Sequence, residues 1–425
     1  MTGREHASDA MPPRPRVLMV AYHYPPYAGS SGIHRTLYFS RYLPEMGWDP
    51  VMLVPHPRAY SAKWQDQLGD IPKGVSVHRA FAIDSSRHLA VRGRYLRLTA
   101  LPDRWVSWVL GAVPTGLRLI RRLRPAAIWS TYPIATAHLI GLILHRLTGL
   151  PWIADFRDPM MTDTLPTGRL RRRVYAWVER STVTRATCCV YPTPGAVQLY
   201  RGRFPSVAPD RFVLLPNGYD ETPFLDAERD LPARAAGGPT TLVHSGLLYP
   251  SERDPRAFFD ALARMKSEGA ARGLRIVLRA GGHDDVHGPE VAKRGIGDLV
   301  EFAPPLPYRE ALREMLLSDG LLLFQASNSN AQVPAKLYEY FRAGRPVFAM
   351  TDPKGDTAAE MRAAGLDTIV PLDDGAAIAR GLTDFLARVR AGTAPVVTPG
   401  EAVRHSRRGR TEDLVRILAA VTARA

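Results

Sequence analysis

The chain has 425 residues, of which 45% are hydrophobic and 23% charged, and its net charge is +15. This length and balance indicate an ordinary globular protein with two or three domains. The basic excess comes without a paired-cysteine zinc pattern, a helix-turn-helix signature or an aromatic and basic single-strand motif, so we expect no nucleic-acid partner. An anionic membrane surface or a phosphorylated ligand accounts for the charge equally well.

The cysteine content and the N-terminus favour a cytoplasmic protein. Cys188 and Cys189 are the only cysteines, and adjacent cysteines rarely bridge, so they are predicted to lie in a buried strand. Residues 1–15 lack the apolar core of a signal peptide and are predicted to be a disordered lead. No segment reaches the roughly 18 apolar residues of a membrane span. Peripheral attachment to the inner membrane face stays an open alternative.

Residues 16–218 are predicted to form an α/β domain. Short apolar runs alternate with helical patterns, as in right-handed βαβ units of a parallel sheet. The predicted strands are 16–21, 50–54, 126–130, 151–154, 186–190 and 211–215, and the predicted helices are 33–46, 134–148 and 170–185.

A second α/β series follows a candidate linker at residues 219–238, which is rich in Asp, Glu, Pro, Ala and Gly. Its predicted strands are 241–244, 274–278, 300–302, 320–324, 347–350 and 368–370. We expect a second domain at 239–398 and a C-terminal helical segment, 399–425, that packs back on the body. Two doubly wound domains of this kind bind ligands between them, at the carboxyl ends of the strands.

Residues 332–349 are the most informative stretch. They predict a loop, a short helix that ends at Gly344, and a buried strand. Lys336 and Glu339 lie three residues apart on one helical face, at a helix N-terminus that attracts anions. This combination suits a ligand with phosphate and hydroxyl groups, such as a nucleotide sugar. The alternative is an amphipathic helix on which both side chains are merely solvated.

Two further loops follow predicted strands and contain glycine. The loop after the first strand contains Gly29 and Gly32, which let backbone N–H groups approach an anion, although a flexible turn explains them too. The loop after strand 241–244 contains Ser245 and Gly246, followed by Arg253. Arg253 could clamp a diphosphate, or be an ordinary surface arginine.

Acidic residues follow the strand at 151–154. Asp155 and Asp158 flank Arg157. Either the arginine orders the loop by ion pairing, or one carboxylate supports charge on a sugar carbon or accepts the proton of an acceptor hydroxyl. The spacing does not choose between the two acids. No Asp-x-Asp pattern occurs, and we expect no metal site.

Residues 91–125 interleave arginine with Trp105 and Trp108. Basic residues and tryptophans at helical spacing can lie on an anionic bilayer. A helix that buries its tryptophans and leaves its arginines outside fits the pattern equally well.

Four stretches together resemble the GT-B-fold glycosyltransferases of the group 1 type, family four. They are Tyr24–Gly32 with Arg35, Trp152–Pro159, Ser245-Gly246 with Arg253, and Val333–Val347. The resemblance extends from about Arg16 to the end of the chain, and its pattern is closest to the Asp-x-Arg-Asp subgroup, which is often linked to surface polysaccharide assembly.

The resemblance implies retaining transfer from a nucleotide diphosphate sugar to a carbohydrate or lipid-linked acceptor, without an essential metal or other cofactor. It implies that Glu339 holds the ribose hydroxyls, that Arg253 and Lys336 neutralise the leaving diphosphate, and that Gly29 and Gly32 line the phosphate or acceptor side. The chain departs from the family at Ala331, where many relatives carry a second glutamate. A nucleotide-sugar 2-epimerase and a non-catalytic scaffold of the same fold stay open as alternatives.

Overall fold

The computed structural model describes residues 14–28, 32–162, 166–232 and 237–423. The chain divides into two compact α/β units, each with one parallel sheet, which confirms the predicted fold class. The N-terminal unit contains the residues up to Val190, Phe204–Val213 and the residues from Thr411, and the C-terminal unit contains Tyr191–Arg203 and Leu214–Arg410. Of the predicted disordered lead, residues 1–13 lie outside the described residues.

The first sheet has seven strands. They are β1 (Arg16–Val20), β2 (Asp49–Pro55), β3 (Ser76–Ala80), β4 (Ala127–Thr131), β5 (Trp152–Asp155), β6 (Cys188–Tyr191) and β7 (Phe212–Leu214). Their order is β3-β2-β1-β4-β5-β6-β7, and β1 pairs in parallel with both β2 and β4. The direction of winding therefore reverses between β1 and β4, which is where doubly wound sheets form ligand sites.

Six helices are numbered with this half of the chain, of which the last belongs to the C-terminal unit. They are α1 (Gly32–Tyr42), α2 (Ser85–His88), α3 (Trp108–Leu123), α4 (Ala135–Thr148), α5 (Arg169–Arg185) and α6 (Pro194–Arg203). A 3₁₀ turn, Leu43–Met46, continues α1 over the rest of the predicted helix. In α3 the Trp108 side chain is fully buried, and the Trp105 indole N–H donates to the Ala59 carbonyl at 3.2 Å. Trp108 is therefore a core residue and cannot belong to a membrane face.

The second sheet has six strands. They are β8 (Thr240–Ser245), β9 (Leu274–Arg279), β10 (Val300–Ala303), β11 (Gly320–Phe324), β12 (Val347–Met350) and β13 (Ile369–Val370). Their order is β10-β9-β8-β11-β12-β13, so β8 and β11 are neighbours at the reversal.

Nine helices are numbered with this half of the chain. They are α7 (Glu221–Glu228), α8 (Arg256–Ser267), α9 (Asp284–Lys293), α10 (Tyr308–Leu317), α11 (Lys336–Ala343), α12 (Asp356–Ala363), α13 (Gly375–Arg390), α14 (Pro399–Arg404) and α15 (Arg407–Ala423). No helix of the described residues is both long and apolar enough to cross a membrane.

The strand β11 shows why the strands of this sheet appear as apolar runs in the sequence. Successive side chains point to opposite faces, so Leu322 and Phe324 join the core cluster on one face, while Leu321 and Leu323 join the cluster on the other. All five residues of β11 are buried. A parallel sheet covered by helices on both faces needs such runs, which is why the sequence predicts these strands well.

The predicted linker contains a packed helix. Phe224 and Ala227 of α7 are fully buried in the C-terminal core. Arg342 of α11 forms ion pairs with Glu221 at 2.6 Å and Glu228 at 2.8 Å, which tie α7 to α11. The helix is only eight residues long, too short to show a clear period in an acidic, proline-containing segment. Residues 233–236 of the predicted linker lie outside the described residues.

We expect Phe224→Ala to lower the free energy of unfolding by about 3–5 kcal/mol, because it leaves a cavity in the core. The matched control is Leu225→Ala, since Leu225 is 49% exposed on the same helix and its loss should cost about 0.5 kcal/mol or less. Urea denaturation of both variants measures the difference. Equal stability of the two variants would mean that this segment is a linker.

Candidate functional site

The helix α11 begins at the edge where the ligand site of a doubly wound sheet is expected. It follows β11, the neighbour of β8 at the reversal of the C-terminal sheet. Lys336 is its first residue and Glu339 lies in the same first turn. The helix ends at Gly344, which adopts the left-handed conformation with φ of 61°. The predicted order of loop, helix, glycine stop and strand is confirmed.

A buried histidine holds the Lys336 amine. The Nδ1 atom of His244 lies 2.9 Å from the Leu322 carbonyl oxygen, and a carbonyl only accepts, so Nδ1 carries the proton. The other ring nitrogen, Nε2, then accepts from the Lys336 Nζ atom at 3.3 Å. His244 lies on β8 and Leu322 on β11, so the contact fixes the amine over the junction of these two strands.

The pKa of Lys336 is lowered to about 7, first by burial and then by the positive charge of Arg253, while Glu339 opposes both effects. Burial and the neighbouring Lys336 hold the pKa of His244 well below its usual value, so this histidine is neutral. Lys336 and Arg253 therefore repel each other in the unliganded protein. An anion bound between them would remove that repulsion, which is the electrostatic signature of an anion site.

Gly246 leaves the space that the Lys336 amine occupies. A Cβ atom at this position would lie 2.8 Å from the Lys336 Nζ atom, and the φ of 114° also disfavours a side chain. The Gly246 N–H donates to the Arg279 carbonyl at 2.8 Å, and the Ser245 N–H donates to the Tyr340 hydroxyl at 3.2 Å. Both N–H groups are thus used within the protein, so the glycine provides space for a cation.

The backbone N–H groups at the start of α11 also donate hydrogen bonds within the protein. The Leu337 N–H donates to the Pro334 carbonyl at 2.9 Å and the Tyr338 N–H to the Ala335 carbonyl at 3.2 Å. These N–H groups do not point to a ligand, which differs from the expectation of an open helix N-terminus. Recognition of an anion at this site depends on side-chain cations.

Arg253 and Glu339 complete the group in the C-terminal unit. The Arg253 guanidinium donates to the Leu247 carbonyl at 3.1 Å and lies 5.8 Å from the centre of the Tyr249 ring. The Glu339 carboxylate accepts from the Tyr308 hydroxyl at 2.7 Å. Burial raises the pKa of Glu339, opposed by that hydrogen bond and by nearby cations. A carboxylate with further acceptor capacity beside two cations can bind hydroxyls next to a phosphate.

Asp155 of the N-terminal unit has an ion-pair partner that the sequence did not indicate. It is fully buried at the end of β5. The Arg35 guanidinium donates to both of its oxygens, with Nε 3.0 Å from Oδ2 and Nη2 2.9 Å from Oδ1, and the Thr131 hydroxyl donates to Oδ2 at 2.8 Å. The carboxylate thus joins α1 to β4 and β5.

Asp158 lies at the surface three residues further on. The surrounding protein partly desolvates its carboxylate and raises its pKa, and the charge of Asp155 adds to this effect while Arg157 opposes it. Arg157 itself donates to the Gly32 carbonyl at 2.7 Å. Of the two acids between which the sequence does not choose, Asp158 is the accessible one. Gly29 lies outside the described residues.

Sequence reasoning missed His244, Tyr308 and Tyr340. The signal for His244 was a polar residue inside the apolar strand that precedes Ser245-Gly246. Tyr340 lies one turn after Lys336, and its hydroxyl donates to the Leu322 carbonyl at 3.3 Å, the same oxygen that His244 contacts. Nothing in the sequence pairs Tyr308 with Glu339. Within the ranges that the structure describes, no cluster of three or more His, Cys, Asp or Glu side chains is arranged to hold a metal ion.

Residues 31–218 match the family described as "Glycosyl transferase 4-like domain". This match and the two-sheet fold together support a glycosyltransferase of the GT-B type. Among curated proteins, none matches this sequence.

Several solved structures share the fold over nearly the whole chain. Sucrose-phosphate synthase from Thermosynechococcus elongatus is 14% identical, with a TM-score of 0.63, and the match covers 97% of this chain and 100% of that one. Anabaena Alr3699/HepE in complex with UDP and glucose is 12% identical, with a TM-score of 0.64 and coverage of 96% and 100%. The α,α-trehalose 6-phosphate synthase from Burkholderia multivorans is 13% identical, with a TM-score of 0.62 and coverage of 96% and 99%. At such identities the likeness shows the fold.

We expect Asp155→Asn to destabilise the protein by about 3–5 kcal/mol, because it leaves the Arg35 guanidinium buried without its counter-charge. The matched substitution Asp158→Asn changes an exposed side chain and should cost less than about 1 kcal/mol. Urea denaturation of both variants tests this. If Asp155→Asn kept the wild-type stability and lost only activity, Asp155 would be a catalytic residue.

Proposed function

We propose that the protein transfers a sugar, with retention of configuration, from a nucleotide diphosphate sugar to a carbohydrate or lipid-linked acceptor in surface polysaccharide or glycolipid assembly. One observation carries the proposal: Lys336 and Arg253 repel each other beside the carboxylate of Glu339. A diphosphate next to a ribose supplies the anion and the hydroxyls that this group lacks. The fold is shared with a protein whose structure is described in complex with UDP and glucose.

The donor chemistry follows from these charges. When the bond between the sugar carbon and the diphosphate oxygen breaks, the electron pair stays on the diphosphate, whose negative charge increases. Lys336 and Arg253 would stabilise that charge, and cations placed where charge develops lower the barrier. Glu339 would hold the ribose hydroxyls. Since these cations do the work of a metal ion, the proposal includes no essential metal.

The acceptor chemistry needs a group that takes the hydroxyl proton. Asp158 is our candidate, because it is exposed and its pKa is raised, which makes its carboxylate a better proton acceptor. The new bond joins the acceptor oxygen to the sugar carbon, and the proton moves to the carboxylate. The proposal places the protein in the cytoplasm, with peripheral attachment to the inner membrane face.

A thermal-shift screen of nucleoside diphosphates and their sugar conjugates tests the donor site first. A ligand that binds only the folded protein raises its melting temperature. We expect a shift with at least one nucleotide sugar and its loss in Glu339→Ala. With that donor, nucleoside diphosphate should be released only when an acceptor is present, also in excess EDTA, and the product should keep the anomeric configuration of the donor.

Other outcomes of that assay would contradict the proposal. An epimerised nucleotide sugar formed without acceptor would identify an epimerase. Nucleotide binding without any turnover across the acceptors tested would favour a scaffold. Loss of turnover in EDTA, restored by a divalent ion, would remove the claim of metal independence.

We expect donor affinity to fall as the pH rises through about 7, because the charged form of Lys336 binds the diphosphate and its pKa in the unliganded protein is about 7. The other charged or titratable neighbours are Arg253, Glu339 and His244, and the pKa of His244 lies well below this range. Calorimetry with the nucleotide sugar from pH 6 to 9 measures the slope, since its diphosphate keeps a constant charge there.

The matched control is Lys336→Arg, whose guanidinium stays charged throughout this range. Its affinity should be independent of pH, whatever its absolute value. A wild-type affinity that does not change between pH 6 and 9 would show that Lys336 does not bind the diphosphate.

A further inference from the structure

A cationic pocket lies in the N-terminal unit, apart from the groups described above. It has a volume of about 720 Å³ and is formed by the segment that follows β3 and by the start of α5. Arg97, Arg104, Arg169 and Arg171 line it, and no lining residue is acidic. Oxyanions such as phosphate are the natural ligands of arginines that converge from two segments of a chain.

The arginine charges of this pocket are largely left without acidic partners. Arg104 has an ion pair with Asp84 at 3.4 Å. Arg171 lies 5.7 Å from the centre of the Tyr175 ring. Within the described residues, neither Arg97 nor Arg169 contacts an acidic side chain. Arg169 and Arg171 also sit in the first turn of α5, which contains no acid, and positive charge is disfavoured there. This placement costs stability, so a function is the better explanation.

A rigid aromatic surface borders the same pocket. Trp105 lines it, and its indole N–H is fixed by the hydrogen bond to Ala59 at 3.2 Å. The Tyr22 ring lies 4.6 Å from the Trp105 ring, and the Arg104 guanidinium lies 4.4 Å from it on a cation–π contact. Arg104 is therefore oriented before any ligand arrives, which reduces the entropy lost on binding.

Exposed leucines neighbour the arginines in the chain. Leu96 is 74% exposed and Leu98 is 71% exposed, one on each side of Arg97 in the chain. Leu170, between Arg169 and Arg171, is 50% exposed and lines the pocket. A soluble phosphorylated sugar would leave these leucines in water. A ligand that joins a phosphate group to an apolar chain would contact both the cations and the leucines.

We propose that this pocket binds the phosphate or diphosphate group of a lipid-linked acceptor, and that Leu96, Leu98 and Leu170 contact its lipid chain. The inference rests on the proposed transfer reaction and names the class of its acceptor. The pocket lies at the carboxyl edge of the N-terminal sheet, because its residues follow β3 and β5. Asp158 follows β5, so the proposed base belongs to the same edge of the same sheet.

Farnesyl diphosphate is a suitable probe, since it carries a diphosphate on an apolar chain. Its Kd is measured by calorimetry on proteins that carry Lys336→Met, a substitution that removes diphosphate binding by the donor site. We expect the double substitution Arg97→Gln/Arg169→Gln to raise the Kd at least tenfold. The control pair Arg118→Gln/Arg121→Gln removes the same charge from exposed positions on α3, and its Kd should change less than twofold. All four arginines are exposed, so both proteins should keep their melting temperature.

Further ligands separate the sources of the binding. Inorganic diphosphate should bind at least tenfold more weakly than farnesyl diphosphate, and equal affinities would overturn the role of the leucines. If both double variants bind farnesyl diphosphate equally weakly, the loss of affinity is explained by net charge alone, and the pocket assignment is overturned. If phosphatidylglycerol vesicles bind the protein while farnesyl diphosphate does not, the pocket recognises a bilayer surface and the acceptor assignment is overturned.

The donor site is measured separately. Nucleotide-sugar affinity should be unchanged in Arg97→Gln/Arg169→Gln, because both arginines lie in the other unit. Farnesyl diphosphate binding without any nucleotide-sugar binding by the wild type would contradict the proposed function and leave the phosphate pocket standing. Nucleotide-sugar binding without farnesyl diphosphate binding would contradict the phosphate pocket and leave the proposed function standing.

Discussion

The repulsion between Lys336 and Arg253 is the interaction on which the candidate site of the C-terminal unit depends. An ammonium group inside a protein is costly unless an opposite charge is close, and here its hydrogen-bond partner is a neutral histidine. The cost is reflected in the pKa of about 7 for Lys336. A protein selected only for stability would place a carboxylate or an apolar side chain there. The arrangement makes sense if an anion arrives during the working cycle.

The surrounding structure keeps Lys336 in this unfavourable position. The Leu322 carbonyl accepts from both His244 and Tyr340, so one oxygen of β11 orients residues from β8 and α11. Gly246 leaves the volume into which the amine extends. The amine cannot turn away to water without breaking its hydrogen bond to His244, whose ring is itself fixed by the Leu322 carbonyl. This is preorganisation, in which folding energy maintains a charge where a ligand will need it.

The N-terminal unit uses buried charge in the opposite way. Asp155 and Arg35 form two hydrogen bonds across 120 residues of sequence, and Thr131 adds a third to the carboxylate. Such a satisfied pair fixes the position of α1 against the sheet and has little capacity left for a substrate. The two units thus show how burial alone fails to identify a functional charge. What separates Lys336 from Asp155 is whether the protein itself supplies the counter-charge.

The sequence predicted those parts of the molecule that depend on local patterns. Apolar runs located β4, β5 and β11, and Gly344 located the end of α11, because burial on both faces and a left-handed residue each leave a local signal. The strand β3 was missed because it is a half-exposed edge strand without an apolar run. The helix α7 was predicted to be part of a linker, because eight residues are too few to show a clear helical period. The Arg35–Asp155 pair was beyond prediction, since it depends on the order of strands in the sheet.

The same distinction between paired and unpaired charge gives meaning to the basic composition. A net charge of +15 says nothing about where the excess lies. In the C-terminal unit, Arg279, Arg294 and Arg342 each contact a carboxylate, and these arginines hold helices and strands together. Arg97 and Arg169, in contrast, meet in a pocket without acids and with leucines beside them. Arginines of the first kind are explained by the fold. Those of the second kind would be explained by the proposed ligand, which brings negative charge and apolar surface together.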